Sequence, residues 1–366
     1  MILFIFMLQK FKNFLKILNG RINFFLKKQK IPDIYDHINI ESTSVCNLKC
    51  KFCAYPKRDL EAVPLATMDI ELFKNTVDQA ISLGYKKIGL TPSTGDIFMD
   101  REIVKKFEYL DELKNYEGFF FYTNFIPTKT EQIEKLILNT KKLVMFGISI
   151  YGHDIKTFKD FCQGTEGAYK RLVLNLKFLL DLHEKNPKIK FNIKISQRSE
   201  WNFKLDKNDS ELSNILKKLL KVPGIKYDQN FSYNNWGGII KENDVKNLNI
   251  KLQSENTLKI GSCSLIYSRL TIGANGLVNA CACRDANFTL RIGNVKDKKL
   301  KDIIALKNTR YNEIIKNQEQ NKFDPVCKSC DFYKSIYMEQ SPTWILQGKK
   351  NTEYNLKNTL DILKSR

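Results

Sequence analysis

Three cysteines, Cys46, Cys50 and Cys53, fall within eight residues in the spacing C-x3-C-x2-C. Three thiolates that close together can hold three corners of a cubane iron–sulfur cluster and leave its fourth iron open, because such a cluster ordinarily takes four cysteines. An open iron can bind a substrate or cofactor, so the shortfall points to catalysis. Structural zinc favours paired C-x2-C or Cys/His sets. A disulfide framework fits poorly with nine cysteines, an odd number, and with the lack of a secretory signal pattern.

Five further cysteines lie in the last third: Cys263, Cys281, Cys283, Cys327 and Cys330. Asn275-Gly276 is a hairpin signal between β-type runs at 268–272 and 277–280, so Cys263 and Cys281 flank a hairpin. A helix over 298–316 and a loop then return Cys327 and Cys330. Four thiolates close one [4Fe–4S] cluster. They also suit zinc, and Cys283 is an alternate for Cys281.

The elements that must position these residues alternate in type. Strands are expected at 37–42, 86–90, 119–122, 143–150, 188–195 and 225–231, with helices over 67–83, 101–113, 131–138, 167–183 and 210–221. Such alternation implies parallel βαβ units with right-handed crossovers. Active sites of parallel α/β folds lie at the C-terminal ends of the strands, and the first cysteine loop leaves the end of the first strand. Asn234-Asn235-Trp236-Gly237-Gly238 follows the sixth strand, where Trp236 either meets a polar substrate or anchors the next domain. His153 follows the fourth strand and is the second candidate for a substrate role. Cys162 stands alone and reads as a small buried apolar residue.

Cys46, Cys50 and Cys53, with Phe52 before the last of them, resemble the radical S-adenosylmethionine (SAM) superfamily. The resemblance implies a [4Fe–4S] cluster on these three cysteines, with SAM chelating the open iron, and an open (β/α)6 partial TIM barrel. It also implies SAM contacts from Phe52, Ser149, Lys194, Ser196, Arg198 and the turn Thr94-Gly95-Asp96, which stands where the family has a Gly-Gly-Glu-Pro-like sequence. Tyr122-Thr123-Asn124 is similar to the family's Thr-Asn turn, whereas Tyr151 replaces a frequent Asp. The later cysteines resemble the single-cluster form of the SPASM/twitch domain, as in twitch-type aminocyclitol dehydrogenases. That implies a second [4Fe–4S] cluster on Cys263, Cys281, Cys327 and Cys330. The implied function is an oxidoreductase acting on a sugar, aminosugar or cyclitol alcohol, with the second cluster as electron acceptor and a flavodoxin or ferredoxin as external donor. A peptide- or protein-modifying maturase is the alternative. A non-enzymatic zinc or Fe–S scaffold is a reading of another class.

The expected organisation is a basic amphipathic helix over 1–32, a barrel over 33–245, an auxiliary domain over 255–335 and a helical tail over 336–366. Net charge is +20, but 50 of the 60 basic residues are Lys. Readers of bases and phosphates favour Arg forks, so nucleic acid is not an expected partner. Residues 1–32 hold no acidic residue and seven basic ones: Lys10, Lys12, Lys16, Arg21, Lys27, Lys28 and Lys30. The longest apolar run there, residues 1–8, falls far short of the roughly 20 residues needed to span a bilayer. Two readings stay open: a helix lying on an anionic membrane face or one packed on the barrel. Oxygen-labile clusters and the missing export pattern imply a cytoplasmic protein, with possible contact to the inner membrane face.

Overall fold

The computed structural model describes residues 2–90, 93–203, 210–253, 257–281, 284–338 and 353–366; within 2–12 only the side chain of Phe11 is described. Six parallel strands form the barrel: β1 (His37–Ile40), β2 (Lys87–Gly89), β3 (Gly118–Thr123), β4 (Leu143–Ile150), β5 (Ile193–Gln197) and β6 (Ile225–Gln229). Each pairs with the next in sequence, which is the order of an open partial TIM barrel. β5 is displaced toward its C-terminal end relative to the expected strand, so Lys194 and Ser196 lie within it.

The helices that follow the strands bury one stripe each, as their 3.6-residue periodicity requires. α2 (Ile70–Ser82) is capped by Asp69, whose carboxylate accepts from the Leu72 N–H at 2.9 Å. α3 (Ile103–Glu112), α4 (Thr130–Asn139), α6 (Glu166–Lys185) and α7 (Glu211–Leu219) match expected helices. α5 (Ile155–Cys162) was not expected; Asp154 caps it through the Thr157 N–H at 2.7 Å. The core between sheet and helices is rich in phenylalanine: Phe107 stacks on Phe119 and Phe121, and Phe121 and Phe125 pack on Phe146. The buried Lys106–Asp100 pair, at 2.6 Å, is held by a hydrogen bond from the Ser42 hydroxyl to Asp100 at 2.7 Å. It ties the chain beyond β1 to the chain beyond β2.

The expected hairpin is present as β7 (Thr271–Ile272) and β8 (Leu277–Asn279), and β9 (Arg291–Asn294) adds a third strand. β7 pairs in parallel with β1, so the hairpin continues the barrel sheet to nine strands. The expected single helix over 298–316 is broken into Leu300–Ile303 and α8 (Thr309–Glu319). Asn308 causes the break: its side chain accepts from the Tyr311 N–H and donates to the carbonyls of Ile292 and Ile303. The tail carries a helix at Leu356–Lys364 with Leu363 buried, while 339–352 lie outside the described residues. α1 (Ile2–Phe25) packs by one face on the chain around Leu258 and Tyr337.

Glu41, just past β1, is buried and accepts from the N–H groups of Ser93 and Ala274, so it fastens β1 to the β2 turn and to the hairpin. Burial raises its carboxyl from 4.5 to about 7, against the opposing hydrogen bonds and the Arg58 charge. The folded protein therefore keeps a proton that the unfolded chain releases between these values. The stabilisation is complete below about pH 4.5 and lost as pH rises through about 7, an expected fall of about 3 kcal/mol. Urea unfolding at pH 5 and pH 8 (both approximate settings inside and beyond that window) should show this fall in the wild type and its absence in Glu41→Gln. Equal falls in both proteins would remove the assignment.

Candidate functional site

The Cys46–Cys53 loop is fixed from several sides. Lys49 and Lys51 donate their N–H groups to the carbonyls of Cys162 and Phe161 at 3.1 and 3.0 Å, joining the loop to the end of α5. The Gln163 amide donates to the Lys49 carbonyl at 2.8 Å, and the Asn124 amide to the Asn47 side-chain oxygen at 2.8 Å. The Tyr55 hydroxyl reaches the Cys46 carbonyl at 3.3 Å. Backbone N–H groups face the sulfurs too: that of Tyr55 lies 3.4 Å from Cys53, and that of Leu48 bonds to Cys46.

Burial pushes the Cys53 thiol up to about 12 and the Cys46 thiol higher. Cys50 is raised by a hydrogen bond with Cys162 and by burial. The lone cysteine of the sequence reading is therefore buried, as expected, but it also touches a cluster ligand. Three thiols whose ionisation is disfavoured become thiolates only against a cationic centre. The donor set, all sulfur and partly dry, fits an iron–sulfur cluster.

Opposite the loop stands the Thr94-Gly95-Asp96 turn. A Cβ on Gly95 would lie 2.8 Å from the Ser44 carbonyl carbon, and its φ is +119°, so only glycine allows this approach. The Asp96 N–H donates to the Val45 carbonyl at 2.8 Å. The Asp96 carboxylate turns inward and accepts from the Phe98 N–H at 3.1 Å, the Thr123 hydroxyl at 2.8 Å and the Asn124 N–H at 2.7 Å. Its pKa is nonetheless raised, by burial. Thr94 accepts a hydrogen bond from Arg58 at 2.7 Å. Arg58 and Glu41 both lie in this region, and sequence reasoning missed them. Two signals were available: a charge directly past β1, and an Arg close behind the cysteines.

Ser149 and Ser196 are opposite each other across β4 and β5, both buried. Lys194 pairs with Asp228 at 2.8 Å. The Arg198 carbonyl accepts from Tyr233 at 3.2 Å. Phe52 packs among Tyr233, Tyr151 and Phe161, with centroids 4.4, 5.1 and 6.1 Å away. His153 stacks on Trp201 at 5.2 Å and lies against Asp154 and Thr157 beside the start of α5.

Cys263, Cys281, Cys327 and Cys330 line one cavity together with Leu290, Phe332, Tyr333 and Arg284. Burial pushes Cys263 up to about 12, and burial, Asp285 and the other three thiols raise Cys281. N–H groups face three of the sulfurs at 3.3–3.4 Å: Lys334 to Cys263, Gln318 to Cys327 and Phe332 to Cys330. Such bonds stabilise thiolates and tune cluster potentials. Cys283 falls outside the described residues. Among the described residues no three His, Cys, Asp or Glu side chains converge as ligands of a single metal ion would; a cubane spreads its thiolates over separate irons.

One turn touches both cysteine sets. The Trp236 indole donates to the Phe52 carbonyl, next to Cys53, at 3.1 Å. Asn235 exchanges hydrogen bonds with Ser329 and Asp331 on either side of Cys330. Gly237 has φ +63°, and a Cβ there would meet Val326 at 2.4 Å. The Arg284 guanidinium lies 5.9 Å from the Trp236 ring and 4.3 Å from Phe332. Trp236 thus contacts both the Cys53 side and the Arg284 side of this turn.

Comparisons with known proteins agree with this arrangement. No curated protein matches the sequence. Two of the solved structures that share the fold illustrate it. "BtrN in complex with AdoMet and 2-DOIA" aligns at 16% identity and TM-score 0.50, covering 82% of this chain and 94% of that one. SuiB of Streptococcus suis bound to precursor peptide SuiA aligns at 15% identity and TM-score 0.52, covering 82% and 70%. Residues 40–191 match the radical SAM superfamily, and residues 263–331 match SPASM, an iron–sulfur cluster-binding domain. With both cysteine sets in place, residues 40–191 carry a radical SAM domain and residues 263–331 a SPASM domain, and the cofactors of these domains are S-adenosylmethionine and [4Fe–4S] clusters.

Proposed function

We propose that the protein is an oxidoreductase that removes two hydrogens from a polar small molecule, a sugar, aminosugar or cyclitol alcohol. When bound, the cluster on Cys46, Cys50 and Cys53 with SAM supplies a 5′-deoxyadenosyl radical for hydrogen-atom removal, and the four-cysteine cluster supplies an acceptor for the second electron. The observation that carries this reading is the Asn235–Gly238 turn, which joins the two cysteine sets. Four thiols around one cavity complete the ligation of a cubane. That suits the second site to electron transfer better than to substrate binding.

The chain's own residues hold and shield the reaction. Phe52, Tyr151, Tyr233 and Phe161 form an aromatic wall behind Cys53 that excludes water. Ser149, Ser196, Lys194 and Arg198 are the proposed SAM contacts at the ends of β4 and β5, with Thr94, Gly95 and Asp96 shaping the turn across from the cysteines. His153 is the candidate group for the substrate's hydroxyl proton. The proposed partners are the small-molecule substrate, an external one-electron donor of flavodoxin or ferredoxin type, and a membrane face met through residues 1–32. A cytoplasmic setting goes with these. The peptide-modifying alternative is favoured by the likeness to SuiB, which was solved with a precursor peptide.

Anaerobic reconstitution should load about eight Fe per chain, as two cubanes require, and cleave SAM to 5′-deoxyadenosine. Cys46→Ala should abolish that cleavage and keep about half the iron. Zinc in place of iron, with SAM left intact, would overturn the reading. Mass spectrometry of active extracts then separates the substrates. Loss of two hydrogens from a polar metabolite is expected; the same loss from a co-expressed peptide would favour the maturase.

Trp236→Phe keeps the ring against Arg284 but loses the hydrogen bond to the Phe52 carbonyl. Such a bond is worth about 1 kcal/mol, or about fivefold. Iron release from the three-cysteine site to a chelator should accelerate by about that factor, with the four-cysteine site unchanged. An unaltered release rate would remove the anchoring role.

A further inference from the structure

Seven of the ten exposed large hydrophobic side chains among the described residues lie in one short segment: Phe11, Phe14, Leu15, Leu18, Ile22, Phe25 and Leu26. Phe25 is 85% exposed, and Phe11 and Phe14 are each 58% exposed. At 100° per residue they fall within about 120° of the α1 surface, a single stripe. The opposite face is occupied. A Cβ on Gly20 would meet Leu258 at 2.8 Å and Met338 at 3.0 Å. Asn23 donates to the Tyr337 carbonyl at 3.0 Å, and the Phe24 ring meets the edge of Tyr337 at 4.9 Å. α1 is thus bolted to the body of the protein by one face and offers an apolar face outward.

Charge selects what covers that face. Residues 1–32 carry seven basic residues and no acidic one. Arg21 is exposed on one flank of the stripe, and Lys27 and Lys28 are exposed at its end. Two copies of this helix laid face to face would bring only like charges together. An anionic lipid surface provides acyl chains for the stripe and phosphates for its flanks. No helix of the described residues is long and apolar enough to cross a membrane, so the geometry is that of a helix lying in the interface plane.

We propose that α1 docks the protein on an anionic phospholipid surface through Phe11, Phe14, Leu15, Leu18, Ile22, Phe25 and Leu26, with Arg21 and Lys28 at the headgroups. This rests only on the membrane-contact part of the proposed function. Lipid binding and SAM cleavage therefore fail separately.

The test is co-sedimentation of the reconstituted full chain with phosphatidylcholine vesicles, with and without phosphatidylglycerol. The protein should pellet with the mixed vesicles, and added salt should release it. Leu18→Gln and Phe25→Gln should each weaken binding by about tenfold, and Arg21→Gln by about fivefold. Iron content and SAM cleavage without lipid should stay at wild-type levels, which certifies the fold. Failure to pellet with either vesicle would overturn the proposal, as would equal binding to both. So would lipid-free self-association abolished by Leu18→Gln and Phe25→Gln, which would assign the face to a second copy.

Discussion

The Asp96 carboxylate is the interaction on which the site depends. Both of its oxygens are engaged, by the Phe98 and Asn124 N–H groups and the Thr123 hydroxyl, and its own N–H reaches Val45. The turn after β2, the end of β3 and the start of the cysteine loop are thereby drawn to one point. A buried carboxylate is costly in isolation, and burial does raise its pKa. The three donors offset that cost. The same negative charge opposes ionisation of Cys46, so the site is balanced only when a cationic group is present. SAM, with its sulfonium and amino group, carries such charge. On this geometry the lone pairs of Asp96 already serve the fold.

The second constraint is the contact between the two cysteine sets. A turn with Trp236, Gly237 and Gly238 all at positive φ is strained for Trp236 and easy for the glycines. It survives because both of its sides are held, by Phe52 on one and by Ser329 and Asp331 on the other. Arg284 adds a cation facing Trp236 and Phe332 while lining the four-thiol cavity. A thiolate cluster is anionic, and a nearby guanidinium favours its more reduced, more negative state. The seam that joins the domains thus also sets a cation beside the second site.

The parts legible in the sequence were those with a local or covalent signature. Ligand spacing announced both cysteine sets. Period-2 and period-3.6 patterns announced six strands and most of the helices, and Asn275-Gly276 announced the hairpin. What escaped notice depends on partners far away in the chain. Glu41 is a single residue past a strand, and its role appears only once Ser93 and Ala274 surround it. Cys162 looks like filler until α5 brings it to Cys50. Asn308 sits inside a helical pattern, yet it finds the Ile292 carbonyl sixteen residues back as well as that of Ile303, and splits the helix. None of these contacts repeats with a period, so no pattern in the sequence marks them.

The pairing of β7 with β1 explains why the auxiliary domain is inseparable from the barrel. A partial barrel has two open edges, each with unpaired N–H and C=O groups that invite association. On the β1 side, Asn39 and Glu41 donate their N–H groups to Leu270 and Ile272, and the hairpin closes that edge. Two residues beyond Glu41 the chain enters the turn that leads to Cys46, and nine residues before Leu270 lies Gly261, next to Ser262 and Cys263. The strand pair therefore sets the separation of both ligand sets with a stiffness that a flexible linker lacks. A continuous sheet holds the two ligand sets at a fixed separation, alongside the Asn235–Gly238 turn that touches both.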